Sequence, residues 1–362
     1  MNGSRSGLDS PFSRDDRPRP TDSAGDAAAA DLVARRPYLE ARAATLAVLR
    51  RFFAEGGFLE VETPRLVVCP GLEPHLDAFA VATTPRRYLP TSPELHLKRL
   101  VAAGYERIFE LGRCFRAEEA GTLHLAEPTL VEWYRSGASL TDLMGDCEQL
   151  LRRVAAAVAP VGGAPARPPL AALDLVPPFT RLTYRDGCRA FAGVDPADFP
   201  EVGGVACLRA VLADLGLHTA ADDDRDTLLE RLWIDRVEPH LGQTRPCFVT
   251  DFPASQAALA AVRPDPVWPV AQRFELYVGG VELANAFFEL TDASEQRRRF
   301  TAWQTQRGWS GREVYPVDEQ FLAALAHGLP ACAGIALGVD RLVMLATGGP
   351  DVASVVCFGG TE

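Results

Sequence analysis

The pair Gly279-Gly280 constrains this chain more than any other feature. It interrupts the stretch RFELYVGGVELANAFFEL, residues 273–290, in which apolar residues alternate on both sides. Two glycines between alternating runs specify a β-hairpin with a two-residue turn, because both turn positions favour positive φ. Such a hairpin pairs Val278 with Val281, Tyr277 with Glu282, and Glu275 with Ala284. Glu275 and Glu282 then share a face as diagonal cross-strand neighbours, roughly 7–8 Å apart. Two carboxylates so placed can bracket a hard divalent cation such as Mg2+, which takes one or two carboxylates plus phosphate oxygens. An ordinary amphipathic hairpin with a solvated acidic face has the same spacing, so both readings stand at this point. Glu289 repeats the seven-residue interval but falls on the opposite face of a straight strand. Bringing it round requires a bulge or strand end near Asn285–Phe288.

A chain of 362 residues can bury a large core, and a net charge of −11 disfavours a broad nucleic-acid-binding surface. The eight cysteines are scattered, without a C-x-x-C pair and without clustering beside the six histidines. They read as reduced thiols of a cytoplasmic protein. No apolar run is long enough to cross a bilayer, and no signal peptide opens the chain.

Residues 1–34 are rich in Ser, Asp, Pro, Arg and Gly and are expected to be a disordered leader, with a short helix beginning near Ala27. Residues 35–362 form the folded domain. Within it, Tyr38–Glu55 has helical spacing, FLEVETPRLVV alternates like a strand broken by Pro64, and SPELHLKRLVAAG is a helix capped by Ser92 or Thr91 with Pro93 at its first position. ERIFELGRCFRAEE and TLVEWYRS make a long hairpin, residues 140–159 a helix, and 160–178 a linker. A mostly helical insertion spans about 179–245. Asp292 and Glu295 suggest a capping box, and ACAGIALG is a strand running into a final helix. Strands interleaved with hairpins rather than βαβ repeats predict an α+β fold, an antiparallel sheet with helices packed on it.

Three separated blocks resemble the class II aminoacyl-tRNA synthetases. The helix running into the Pro64 strand resembles motif 1, Phe115-Arg116-Ala117-Glu118-Glu119 with its loop to Glu132 resembles motif 2, and GIALGVDRL at 334–342 resembles motif 3. SPELHLKRL, LVEWYR and VELANAFFELTD are similar to the catalytic domain of lysyl-tRNA synthetases. The leader is too short for their anticodon-binding OB-fold. The chain therefore resembles the truncated paralogues that attach (R)-β-lysine to a lysine of elongation factor P. FPASQA at 252–257 and Ala336, where lysyl-tRNA synthetases carry Gly, match those paralogues.

The resemblance implies ATP and Mg2+ as cofactors, and β-lysine and elongation factor P as substrates. It also implies a homodimer through motif 1, with tRNA not expected as a partner. It gives Arg116 and Arg341 catalytic roles on the phosphates. Ala117, Glu118, Leu125, Glu282, Leu283 and Gly338 join those two arginines at the nucleotide. Ser92, Pro93, Glu94, Glu132, Tyr134, Glu289 and Ala336 line the amino-acid pocket, and Glu275 and Glu282 hold the metal. Motif 2 departs from the family. Ala117 replaces Asn, Leu125 replaces a nucleotide-contacting Asn, and Pro128 replaces the Phe that stacks on adenine, while Phe288 stands where the paralogues have His. A regulatory paralogue, or a lysine-activating enzyme with another acceptor, fits the same residues.

Overall fold

The computed structural model describes residues 23–162 and 167–359. Its helices are α1 (Ser23–Glu55), α2 (Glu94–Ala102), α3 (Leu140–Ala157), α4 (Tyr184–Gly187), α5 (Val205–Asp214), α6 (Arg225–Leu232), α7 (Ala293–Trp309), α8 (Glu319–Gly328) and α9 (Val339–Thr347). Its strands are β1 (Leu59–Glu60), β2 (Ala80–Val81), β3 (Arg87–Tyr88), β4 (Arg107–Arg113), β5 (Thr129–Ser136), β6 (Thr180–Thr183), β7 (Cys247–Pro253), β8 (Val262–Arg263), β9 (Val270–Val278), β10 (Val281–Phe288) and β11 (Cys332–Gly338). Most of the expected disordered leader, residues 1–22, lies outside the described residues, and α1 is already helical from Ser23. Among the described residues no helix is long and apolar enough to cross a membrane, and all eight cysteines are free thiols.

Nine strands form one sheet in the order β1-β4-β5-β11-β10-β9-β7-β6, with β8 pairing to β9, and only the β1–β4 and β6–β7 pairs are parallel. This is the expected α+β sheet. One face carries Trp133, Phe109, Ile335, Leu337, Phe274, Leu276 and Phe248, packed under α1, α3 and α9 in the main core. Burying a side chain the size of Trp133 there means that truncation to Ala costs about 3–5 kcal/mol. On the other face, α2, α7 and α8 close over Tyr134, Ile108 and Cys332, while the helices after β6 share a second core with Val249, Tyr277 and Val270. The stretch 160–178 is more than a tether, because Leu170 and Leu173 are buried in the main core.

Several local expectations shift. The strand expected through FLEVETPRLVV shrinks to Leu59–Glu60, since the chain leaves the sheet ahead of Pro64. Pro93 sits one position outside α2, and the Glu94 N–H donates to Ser92 Oγ at 3.0 Å. Asp292 caps α7 by accepting from Ser294 and Glu295, but Glu295 turns to Arg298 and Arg299 instead of closing a capping box.

The Gly279-Gly280 turn forms as expected, with φ of 59° and 72°, and Val278 pairs with Val281 and Tyr277 with Glu282. Beyond that the register slips. Ala284 pairs with Leu276, and Asn285, rather than Ala284, stands opposite Glu275. The bulge is at Leu283, nearer the turn than Asn285–Phe288. Leu283 and Ala284 both enter the main core, and this extra inward residue returns Asn285, Phe287 and Glu289 to the face that holds Glu275 and Glu282.

Candidate active site

Because the bulge restores phase, one row of residues crosses five adjacent strands: Glu110 on β4, Glu132 on β5, Ala336 on β11, Asn285 on β10 and Glu275 on β9. Three carboxylates, an amide and a methyl thus line one face of the sheet. The next row runs from Ile108 through Tyr134, Gly334 and Phe287 to Arg273.

At one end of this surface lies a buried acidic pocket. Ser92 links two of its members, donating from Oγ to Glu132 Oε1 at 2.9 Å while accepting the Glu94 N–H. Burial, with a further push from the Glu94 charge, raises the Glu132 carboxyl to about 8. Glu289 is 1% exposed at the end of β10 and is likewise raised by burial, as is Glu94. Glu289 Oε1 has no hydrogen-bond partner among the described residues, and it lies over Gly334 beside the Tyr134 ring. Pro93 ends the loop that brings Ser92 and Glu94 here, and Ala336 projects from the row between Asn285 and Glu132.

The other end is built from the hairpin and motif 3. Glu275 is held by Arg273 and by the Tyr277 hydroxyl, which donates at 2.6 Å. Burial raises the Glu275 carboxyl, and the Glu282 charge adds to the rise. Glu238, entering from the insertion, is raised to about 7 by burial and by the charges of Glu282 and Glu275. This excess negative charge suits a cation. Among the described residues no three acidic, His or Cys groups converge on one metal-binding point; Glu275 and Glu282 are two carboxylates of the kind Mg2+ takes, with Glu275 engaged by Arg273 and Tyr277 and Glu282 by Arg341.

Arg341, near the start of α9, donates to the Glu282 carbonyl at 2.5 Å and to the Leu123 carbonyl at 3.2 Å, and lies 3.3 Å from the Glu282 carboxylate. Its neighbour Asp340 does not pair with it. Asp340 binds Arg42 of α1 at 2.7 Å and accepts the Thr129 N–H, so it ties α1, β5 and α9 together. A Cβ on Gly338 would meet only the Arg341 side chain at an ordinary 3.5 Å, so the protein itself leaves that space open. Leu283, the bulge residue next to Glu282, buries its side chain in the main core.

The motif 2 arms continue past β4 and β5 through Cys114 N–H to Pro128 O and Arg116 N–H to Ala126 O, each 2.9 Å. Arg116 Nε donates to Thr91 O at 3.3 Å, and its guanidinium is 3.7 Å from Glu119, too long for a strong ion pair. Its fork is therefore largely free. Ala117 donates to Asp77 O at 2.7 Å, and Glu118 follows in the left-handed region with φ of 67°. Leu125 packs with Leu123 against the main core.

Sequence reasoning missed Asn285, whose buried Oδ1 has no hydrogen-bond partner among the described residues, and Glu110, Glu238, Lys98 and Gly334. Asn285 had a usable signal, its place in the same hairpin, once the bulge is located. His124 lies 2.8 Å from Arg341, and burial keeps its ring below the usual histidine range.

This sheet, with its row of carboxylates between two arginine-bearing motifs, defines a class II synthetase catalytic domain. The chain belongs to the class II tRNA synthetase family (D, K and N), which it matches over residues 32–362. Among its relatives is the elongation factor P–(R)-β-lysine ligase of Yersinia enterocolitica, 42% identical over 326 residues, covering 88% of this chain and 93% of that protein. The ligase of the same name from Proteus mirabilis is 43% identical over 319 residues, covering 86% and 91%. That from Photorhabdus laumondii is 42% identical over 330 residues, covering 89% and 94%.

Proposed function

We propose that this chain activates (R)-β-lysine with ATP and transfers it to a lysine side chain of elongation factor P. The observation that carries this reading is the continuity of two sites on one sheet face: a buried acidic pocket for a diamine and, in the same row of residues, a polar cleft for a nucleotide. The relatives' shared name supports the choice of both substrates.

In the first step a carboxylate oxygen of β-lysine attacks the α-phosphorus of ATP, and the bond to pyrophosphate breaks. The nucleophile is already ionised, so alignment and charge neutralisation carry the catalysis. Arg116, with its free fork, grips the α-phosphate and the substrate carboxylate. Arg341, with Ala117, Glu118 and the backbone at Leu283 and Gly338, holds the rest of the nucleotide. Glu275 and Glu282 hold Mg2+, which on binding neutralises phosphate charge. Glu94, Glu289 and Tyr134 take the distal ammonium, Glu132 with Ser92 takes the nearer one, and Ala336 narrows the floor against α-lysine. In the second step the acceptor amine attacks the acyl carbon, AMP leaves with the bonding electron pair, and the amine loses a proton. The reaction is assigned to the cytoplasm, by a homodimer joined through the motif 1 region.

The test is mass transfer from β-lysine to elongation factor P with ATP, scored against α-lysine. A mass gain of one β-lysyl group, weak with α-lysine, is expected. ATP–pyrophosphate exchange without transfer would move the acceptor elsewhere, including to tRNA, and no exchange with either amino acid would overturn the reading.

A further inference from the structure

Lys98 is the only lysine in the chain, and the other 36 basic residues are arginines. It is 1% exposed, and its ammonium lies 2.5 Å from Glu94 Oε1 and 2.5 Å from Glu289 Oε2. A chain that uses arginine at every other basic position retains here the smaller cation on a four-carbon stem. A compact ammonium can sit between two carboxylates in a space that a planar guanidinium would overfill.

The contacts have two consequences. Lys98 ion-pairs with Oε2 at 2.5 Å, while Oε1, which has no hydrogen-bond partner among the described residues, lies over Gly334 against Tyr134. The second consequence is a charge count. Glu94, Glu132 and Glu289 bring three negative charges when ionised, and Lys98 cancels one. Burial pulls against the Lys98 proton, but Glu289 and Glu94 overcome it and hold the ammonium above the usual lysine range. With all three carboxylates ionised, as a bound diamine requires, the pocket offers two net negative charges in a place where unpaired charge is costly.

We propose that Lys98 is a positioning residue that sets substrate specificity. Its fixed ammonium removes one carboxylate charge, aims the free oxygen of Glu289 into the pocket, and leaves a charge of minus two for an amino acid bearing two ammonium groups. The proposal rests on the acidic pocket being the amino-acid site. It adds a determinant that acts through Glu94 and Glu289 rather than by touching the substrate.

The single lysine makes the test direct. Protein grown with lysine labelled with carbon-13 and nitrogen-15 at the side-chain end gives one ammonium signal without assignment work. That signal is expected to shift on adding (R)-β-lysine, to remain that of a charged ammonium, and to shift less with 6-aminohexanoate, which carries one amine. In parallel, calorimetry on Lys98→Met is expected to show the preference for β-lysine over 6-aminohexanoate falling on the order of 100-fold. Lys98→Ala should recover part of that preference with propylammonium in the buffer. If wild-type protein binds β-lysine but its lysine signal does not move, the proposal fails. It also fails if Lys98→Met weakens both ligands equally. Should the variants not fold, the wild-type spectrum alone decides. Failure of the wild-type protein to bind β-lysine at all would instead sink the functional reading beneath the proposal.

Discussion

Glu289 and Gly334 are packed so closely that Oε1 of the glutamate lies 2.5 Å from where a Cβ on residue 334 would stand. The Tyr134 Cδ1 is equally near that point, at 2.5 Å. Gly334 lies in mid-strand, so its need for glycine comes from what sits above it. Gly334→Ala would push the Tyr134 ring and the Glu289 carboxylate out of their common space. Amino-acid affinity should fall on the order of 100-fold while nucleotide affinity stays within about twofold, because the phosphate-end residues are untouched. Calorimetry with each ligand separately checks the split, and equal losses would show that the glycine serves only the fold.

At the other end of the surface, Glu282→Gln should abolish ATP–pyrophosphate exchange and leave the melting temperature within a few degrees of wild type. Glu282 is partly exposed, its side chain pairs among the described residues only with Arg341 at 3.3 Å, and the amide keeps its shape. Removing its charge should also return Glu238 towards the ordinary glutamate range, since Glu282 is the largest charge raising it. Exchange activity near wild type would show that the metal assignment is wrong.

Affinity for the amino acid should depend on pH. Burial raises Glu132 to about 8, so below that pH the empty pocket holds this carboxyl protonated and neutral. An ammonium substrate requires the ionised form. Affinity should therefore rise up to about tenfold per pH unit on approaching 8 and flatten above it. The folded protein moves the opposite way. A carboxyl raised in the native state contributes stability that is full below the ordinary glutamate range and is lost as pH climbs through about 8. Calorimetry and melting curves between pH 6 and 9 check both slopes, and a flat binding profile would exclude Glu132 from the ammonium site.

Much of this site is legible in the sequence because it rests on local rules. Gly279-Gly280 specifies its turn, and the turn specifies the first two cross-strand pairs. The bulge was not placed correctly because Leu283 and Ala284 are both apolar, and alternation cannot say which of two inward residues is the extra one. Only the packing of both into the main core decides it. Lys98 was invisible for a different reason. Four residues after Glu94 on a helix, it has the spacing of an exposed surface pair, and nothing local announces that the end of β10 arrives above it. The Asp340–Arg42 pair is illegible for the same reason, because the two residues lie 298 positions apart.

That long-range pair is a stability determinant. Arg42 and Asp340 are both largely buried, and Asp340 also accepts the Thr129 N–H at 2.7 Å. Asp340→Ala leaves the largely buried Arg42 without its counter-charge, though still donating to Thr129 Oγ1, and the Thr129 N–H without its carboxylate acceptor, and should cost about 3–5 kcal/mol. Removing Arg42 as well should restore part of that loss, which denaturant titration of the two single variants and the double variant measures.

Motif 2 carries the last prediction. Leu125 faces the main core beside Leu123, so restoring Asn there exchanges a packed apolar group for a polar one, and should lower stability by about 1 kcal/mol without tightening ATP. Pro128 is different. Its carbonyl accepts the Cys114 N–H, a contact that any residue can keep, and the ring is only partly buried. Pro128→Phe should therefore preserve the loop and add a stacking surface worth about 1–3 kcal/mol, or roughly 5- to 150-fold in nucleotide affinity. Titration with a non-hydrolysable ATP analogue measures it, with β-lysine affinity as the control that should not change. No gain with Phe would mean that the adenine lies away from residue 128, and that this chain holds its nucleotide mainly by the phosphates through Arg116 and Arg341.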